Sequence, residues 1–485
     1  MIKRLRSIRS VSHWIIVVFL LIVQQYAFMS VPMIIEESDK TSLVSESPHS
    51  RMALDIYKEM QADELADPAN MLNTVFLILS ILLLGILFLY NTKKIEYLIR
   101  NNVACFLYVF IVIVSVTWSH YPDLCIKRAI GYLITIAVAM SLITAFSVTD
   151  CIRALSISVI LSAIASIIFV FLFPQYGIMW ADTLEGDWRG VFSHKNGFGQ
   201  SMSVGVFAEL YLITARVGRL RYRLFWSITM LCLIIMSRSS TSLMLSLFYV
   251  SMISPYAIWL RFEVLGYALF SLLFLGSIIL CATFIIDTGP ILELIGKDTT
   301  LSGRTYAWET AFELIKQNPI LGLGYRSAYI PSDPTTLAFN EKIGMQISTS
   351  HNNYLEIMVE LGLIGFSVLA VFILNSFWRA LRCLTLGIHP LGYISLVFFA
   401  GCLIEGWSEA SAIGHNQSFM WVTFNILAFA CGSALHRLQG AQDFGPGAAA
   451  TGTRAIRHAA RRRRLDWDSD NDAARLPSQH HDRGR

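Results

Sequence analysis

The stretch Ser348-Thr349-Ser350-His351-Asn352-Asn353-Tyr354-Leu355-Glu356-Ile357-Met358-Val359-Glu360-Leu361-Gly362-Leu363-Ile364-Gly365 decides the fold. A polar segment ends at His351, and a long apolar run begins at once. The run, 353–377, reads as a membrane helix, so His351 and Asn352 stand at its mouth. Thr349, Ser350 and Asn352 are each able to cap that helix. An imidazole at a helix mouth is placed to accept a proton. The plainer reading is a histidine that caps the helix or packs at the interface. A second pair, His415-Asn416, has no glycines at the same spacing and reads as a loop feature.

Working outward, the 485 residues are 55% hydrophobic and 15% charged, where a soluble domain carries about 25% charged residues. Mean hydropathy is +0.55. The class is an all-α polytopic membrane protein, and size rules for soluble domains do not apply. The net charge of +4 matters less than where the cations lie. Most of the eight cysteines fall inside apolar runs with no Cys-x-x-Cys pair, which excludes a disulfide framework and a zinc site. Cys125 alone reads as a loop thiol.

Apolar runs predict a bundle of about 12 membrane helices: 14–31, 71–90, 103–118, 129–148, 154–173, 198–214, 224–237, 242–260, 263–286, 353–377, 391–406 and 418–435. Lys93, Lys94, Arg100, Arg216, Arg219, Arg221, Arg223, Arg261, Arg379 and Arg382 fall in alternate short loops. That places both termini in the cytoplasm. The run 14–31 lacks a small-x-small cleavage site and reads as an uncleaved helix. Residues 36–69 are mostly acidic and suit an outward loop, with an amphipathic helix over 51–65.

Five regions follow. Residues 1–70 hold the first helix and the acidic loop, and 71–286 the next eight helices. Residues 287–350 form the large outer loop, 351–436 the last three helices, and 437–485 a disordered basic tail with a run at Arg461–Arg464.

The large loop contains Ser302-Gly303-Arg304 followed by a helix that ends at Asn318-Pro319, with Ser302 as its cap. Trp308, Ala311, Phe312 and Ile315 form its apolar face, and it lies along the membrane. Arg304 faces the positive end of that helix's dipole, an arrangement that makes sense if an anion sits between them. The alternative is an arginine that snorkels to headgroups. The predicted helix 224–237 is roughly 21 Å long against an apolar core of about 30 Å, so Arg238 falls below the outer surface and is a second candidate cation. Glu405 and Glu409 are close in sequence and read as a solvated loop.

Walker A, His-Glu-x-x-His and Gly-x-Ser-x-Gly motifs are missing, as is a paired-carboxylate signature of glycoside hydrolysis. The sequence asks for no cofactor and no nucleic acid.

His351-Asn352, nine residues, then Gly362-x-x-Gly365 resembles the His-motif signature of the O-antigen ligase and Wzy-type polymerase superfamily. Gly303-Arg304-x-x-x-Trp308 and Asn318-Pro319-Ile320-Leu321-Gly322-Leu323-Gly324 resemble the landmarks that precede it across a large outer loop. Trp118-Ser119-x-x-Pro122 and Ser237-Arg238 resemble earlier ones. Trp188–Gly197 is similar to the exopolysaccharide-production, ExoQ-type branch. The resemblance covers roughly residues 70–435, and Trp308 replaces a leucine common in the ligases, which favours a polymerase.

The resemblance implies a GT-C-like, metal-independent, inverting glycosyltransferase at the periplasmic face of the bacterial inner membrane. It would join undecaprenyl-pyrophosphate-linked oligosaccharide repeats into exopolysaccharide. His351 is then the base and Arg304 the catalytic cation, with Arg238, Arg189, His194, Lys195 and Asn352 binding pyrophosphate or glycan. Membrane lipid and a chain-length regulator of the polysaccharide co-polymerase type are the implied partners. The alternative in the same class is a ligase that hands the glycan to a lipid-A core or a protein. A lipid-linked glycan flippase is the reading from another class, and it predicts inverted repeats that the sequence lacks.

Overall fold

The structure is a computed structural model that describes residues 92–180, 184–259, 272, 304–330, 333–343, 347–410, 412–415 and 418–443. The expected helices at 14–31, 71–90 and 263–286, the acidic loop and its short helix, Ser302, Gly303, Cys281 and the arginine run of the tail lie outside the described residues. Residues Met1–Cys431 make one compact unit. Of the second, Gly432–Arg485, only the continuation of the last helix to Asp443 is described.

Among the described residues the chain is helical. The helices are α1 (Thr92–Asn101), α2 (Val103–Val114), α3 (Pro122–Ala145), α4 (Val148–Leu172), α5 (Lys195–Thr214), α6 (Leu220–Met236), α7 (Ser240–Trp259), α8 (Arg304–Gln317), α9 (Pro334–Ile343), α10 (Asn353–Thr385), α11 (His389–Ser408) and α12 (Phe419–Asp443). Five of them are long and apolar enough to cross a membrane, or six if α1 and α2, which meet at 90°, form one broken span. This is a membrane protein. Phe110, Phe171, Phe225, Leu374 and Trp378 point outward from the bundle, as lipid-facing side chains do.

α5 sits at the centre, and Phe198–Leu212 is buried without interruption. Small residues allow this close approach. A Cβ at Gly199 would lie 2.7 Å from Ser242 Oγ of α7, and one at Gly205 2.6 Å from Val159 Cγ1 of α4. Ser203 Oγ donates to the Ser242 carbonyl at 2.8 Å.

Several sequence expectations change here. α6 begins at Leu220, so Arg223 is no inner-loop cation. It is buried and paired with Glu209 of α5 at 3.1 Å, with Ser156 beside them. The 17 residues of α6 span roughly 25 Å, which removes most of the shortness expected to lower Arg238. Cys125 lies fully buried in α3 against Ser115, not in a loop. The buried face of α8 is Ala307, Thr310, Ala311 and Leu314, while Phe312 points out. That face packs on α10 through Val359 and on Tyr329 and Ile347.

The glycines of the opening stretch have a backbone role. α10 breaks at Gly362 (φ 60°, ψ −163°), a conformation costly for any residue with a side chain. The break frees backbone groups that need partners when buried. Residues 319–324 supply them. Leu323 N–H donates to the Val359 carbonyl at 2.9 Å and Gly324 N–H to that of Glu360 at 2.8 Å. Leu363 and Ile364 N–H donate back to Pro319 and Ile320, at 2.9 and 3.2 Å. A Cβ at Gly362 would lie 2.3 Å from Ile320 O, and one at Gly322 2.4 Å from the Glu360 carbonyl carbon. The Gly362 break and the Asn318–Gly324 motif are therefore two halves of one backbone joint.

Candidate functional site

One end of the bundle gathers the turn before α10, the end of α11, the start of α5, the start of α8 and the α6–α7 corner. Asn352 caps α10, its Oδ1 accepting from Tyr354 and Leu355 N–H at 3.0 and 3.2 Å. Its amide donates to the Trp407 carbonyl at 3.3 Å. Of the residues expected to be able to cap α10, Asn352 is the one that does so, and both ends of its side chain are engaged in holding the helix mouth. Ser350 braces the same turn, with its N–H and Oγ both on Glu356 Oε2 at 2.8 and 2.6 Å. His351 sits between these braces at φ 48°, its N–H donating to Thr349 Oγ1 at 2.9 Å. A left-handed histidine is strained, and two side-chain clamps hold it there. Its side chain is 38% exposed.

The group facing His351 is Glu409, directly after α11. Glu409 Oε2 lies 3.8 Å from His351 Nδ1. Oε1 accepts from Arg304 Nη2 at 3.3 Å and from Asn196 Nδ2 at 2.8 Å. Arg304 and His351 thus share one carboxylate. Trp308, one turn along α8 from Arg304, meets Trp407 edge to face at 6.2 Å and sets the start of α8 against the end of α11.

Glu405, one turn before Glu409, is fully buried, with Oε1 3.4 Å from Gln200 Nε2. The solvated-loop reading of this acid pair is wrong. The signal was there: carboxylates at the end of an apolar membrane run are rare and face the bundle interior or a partner. His415 lies, as expected, in the loop between α11 and α12, but its ring is buried, 3.0 Å from Glu360 Oε2, and stacked at 28° on Tyr325. Asn416 lies outside the described residues.

A second cluster adjoins the first through consecutive residues of α5. Lys195 Nζ lies 2.5 Å from Asp187 Oδ2, and Arg238 Nη1 3.3 Å from Asp187 Oδ1. Asp187 is buried, and the Arg238 side chain is 69% exposed at the α6–α7 corner with φ 47°. His194 caps α5, its Nδ1 accepting from Asn196 N–H at 3.2 Å. Burial lowers the His194 pKa from its ordinary 6.5, with Glu409 opposing. Arg189 is buried, with Nε on the Tyr176 carbonyl at 2.9 Å and Nη1 3.5 Å from that of Ser193, so it braces the loop. Asn196 and Asp187 belong to these clusters although the sequence reading gave neither a role, and Glu409 was read there only as solvated.

The two clusters flank the N-terminus of α5, whose dipole favours an anion. Beside the second cluster, an apolar groove of about 380 Å³ runs between α4 and α6, lined by Ile167, Phe171, Trp188, Phe225, Ile228 and Met236. The arrangement suits a molecule with an anionic head and an apolar tail.

A family model described as O-antigen ligase matches residues 225–370, which include Arg238, Arg304, His351, Gly362 and Gly365. The exopolysaccharide production protein ExoQ of Rhizobium meliloti (strain 1021) is 28% identical over 308 residues, covering 59% of this chain and 67% of that protein. An uncharacterized protein of Haemophilus influenzae (strain ATCC 51907 / DSM 11121 / KW20 / Rd) is 29% identical over 155 residues, covering 30% of this chain and 37% of its own length. These matches support the O-antigen ligase and Wzy-type family.

Proposed function

We propose that this chain, as a protein of that family, joins polyprenyl-pyrophosphate-linked oligosaccharide repeats into exopolysaccharide at the outer face of the bacterial inner membrane. The O-antigen ligase match and the similarity to ExoQ support a polysaccharide polymerase- or ligase-type activity. The observation that carries glycosyl transfer from a pyrophosphate carrier is the carboxylate shared by Arg304 and His351. A cation and an imidazole 47 positions apart (351 − 304) meet at Glu409, at 3.3 and 3.8 Å.

The chemistry follows from those groups. The acceptor hydroxyl gives its proton to His351 while its oxygen bonds to the anomeric carbon of the donor. The bond from that carbon to pyrophosphate breaks, and its electron pair leaves with the phosphate, which is already a good leaving group. Arg304 meets the developing negative charge, with the α5 N-terminus, Lys195 and Arg238 beyond it. Attack opposite the leaving group inverts the anomeric centre. The α4–α6 groove supports a lipid-tailed donor.

The test is turnover of a defined polyprenyl-pyrophosphate-linked repeat by the purified full chain. A ladder of lengthening lipid-linked products is expected. Transfer only to an added lipid-A core or protein acceptor establishes the ligase reading, which the family model's description favours. No transfer to either, with movement of the lipid-linked repeat across vesicles, refutes both.

A further inference from the structure

We propose that Glu409 competes with the donor's pyrophosphate for Arg304, and that losing this competition moves its carboxylate onto His351. This rests on the functional reading above and adds an order to it: phosphate first, then a base oriented for the acceptor.

The geometry of the three side chains carries the inference. The Arg304–Glu409 contact is one-pronged, Nη2 to Oε1 at 3.3 Å, longer than the roughly 2.7–2.9 Å of a strong charge-assisted bond. A guanidinium has five donors in a fork that matches two oxygens of one phosphate, so a phosphate offers Arg304 more than Glu409 does. The Arg304 side chain is 23% exposed, which leaves it a side open to a ligand. Glu409 Oε2 is 3.8 Å from His351 Nδ1, beyond the roughly 3.2 Å limit of a hydrogen bond. Glu409 therefore holds Arg304 loosely and only approaches His351.

Asn196 provides the pivot. Its amide holds Oε1 at 2.8 Å, the shortest of the three contacts. Once a phosphate has taken the guanidinium, this bond retains Oε1 and leaves Oε2 to close on His351, whose Nδ1 already lies 3.8 Å away. A closed Glu409–His351 contact fixes the ring with Nδ1–H on the carboxylate and Nε2 toward the acceptor hydroxyl. Glu409 sits at the extended residue just past α11, so this rotation leaves the helix undisturbed. Among the described residues, His194 and Glu405 are the further titratable groups that feel this carboxylate.

The experiment measures polyprenyl pyrophosphate affinity and turnover for the detergent-purified full chain, Glu409→Gln, Arg304→Ala and the double variant. Glu409→Gln should bind the lipid about fivefold tighter, because a competitor for Arg304 is gone, yet turn over at least about tenfold slower. The double variant should bind as Arg304→Ala does, since the competition acts through that guanidinium. Tighter binding that persists without Arg304 means general charge repulsion and overturns the proposal. Unchanged or weaker binding in Glu409→Gln, with Arg304→Ala still weak, overturns the competition and leaves the phosphate site standing. Wild-type binding by Arg304→Ala refutes the site itself. If the amide prevents folding, Glu409→Asp withdraws the charge by one methylene; tighter binding supports the competition and unchanged binding overturns it.

Discussion

Two histidines, His351 and His415, lie at the same end of this bundle, and they have opposite environments. His351 is part-exposed, left-handed and 3.8 Å from its carboxylate. His415 is 2% exposed, 3.0 Å from Glu360 and stacked on Tyr325. Around His415, Asn353 Oδ1 accepts from Ile413 N–H at 3.0 Å, and Tyr108 Oη donates to the Gly414 carbonyl at 3.2 Å. The second histidine is a strut that ties the segment after Glu409 to α10; the first is held at its backbone, with its ring part-exposed beside Glu409. A histidine that does chemistry needs a fixed backbone and an accessible nitrogen, and one that does packing needs the reverse.

The largest effect expected from this contrast is on turnover. His351→Ala should lower it by about 10²–10⁴-fold with a melting temperature close to wild type. Near-normal polymer from this variant would make both histidines structural and break the contrast. His415→Ala should do the opposite, costing about 1–3 kcal/mol of stability because the buried Glu360 carboxyl is left without its hydrogen-bond partner. Denaturation in detergent measures it, and a variant as stable as wild type would sink the strut assignment. Asn352→Ala tests the bracing of His351 alone. Loss of the cap should cost about 1 kcal/mol, with a larger proportional loss of turnover than of stability.

The smallest effect concerns pH. His194 has its pKa lowered by burial, so the unfolded chain binds the proton more readily than the folded one. Its contribution to stability is present above about 6.5 and declines as pH falls through that value toward the lower folded pKa. Melting temperature should fall on acidification, and less so in His194→Asn, which keeps a capping oxygen but does not titrate. An identical slope in the two proteins would place the acid sensitivity elsewhere.

Much of the helical framework was legible, because a bilayer demands long apolar runs and a run such as 353–377 has no other use. The backbone joint was half legible: Gly362, Gly322 and Gly324 stood out, but their pairing across the chain did not. The buried face of α8 was misread because apolar residues at a membrane protein's surface are not forced inward. Phe312 is free to face out, while small Ala307 and Ala311 allow close packing. The same logic hid Arg223, which sits among basic neighbours in sequence and is neutralised by Glu209 from another helix.

By itself the sequence determined that the chain is a helical membrane protein. It also determined that His351 stands at a helix mouth and that Arg304 opens a helix in the preceding loop. These follow from hydropathy and from capping, which are local properties of the chain. Only the tertiary structure decided that Glu409 lies between them, which of three candidate residues caps α10 and that Arg189 braces a loop. It alone separated the two histidines. A charged side chain's role is set by what neutralises it in a low-dielectric interior, and those partners come from helices far apart in the sequence.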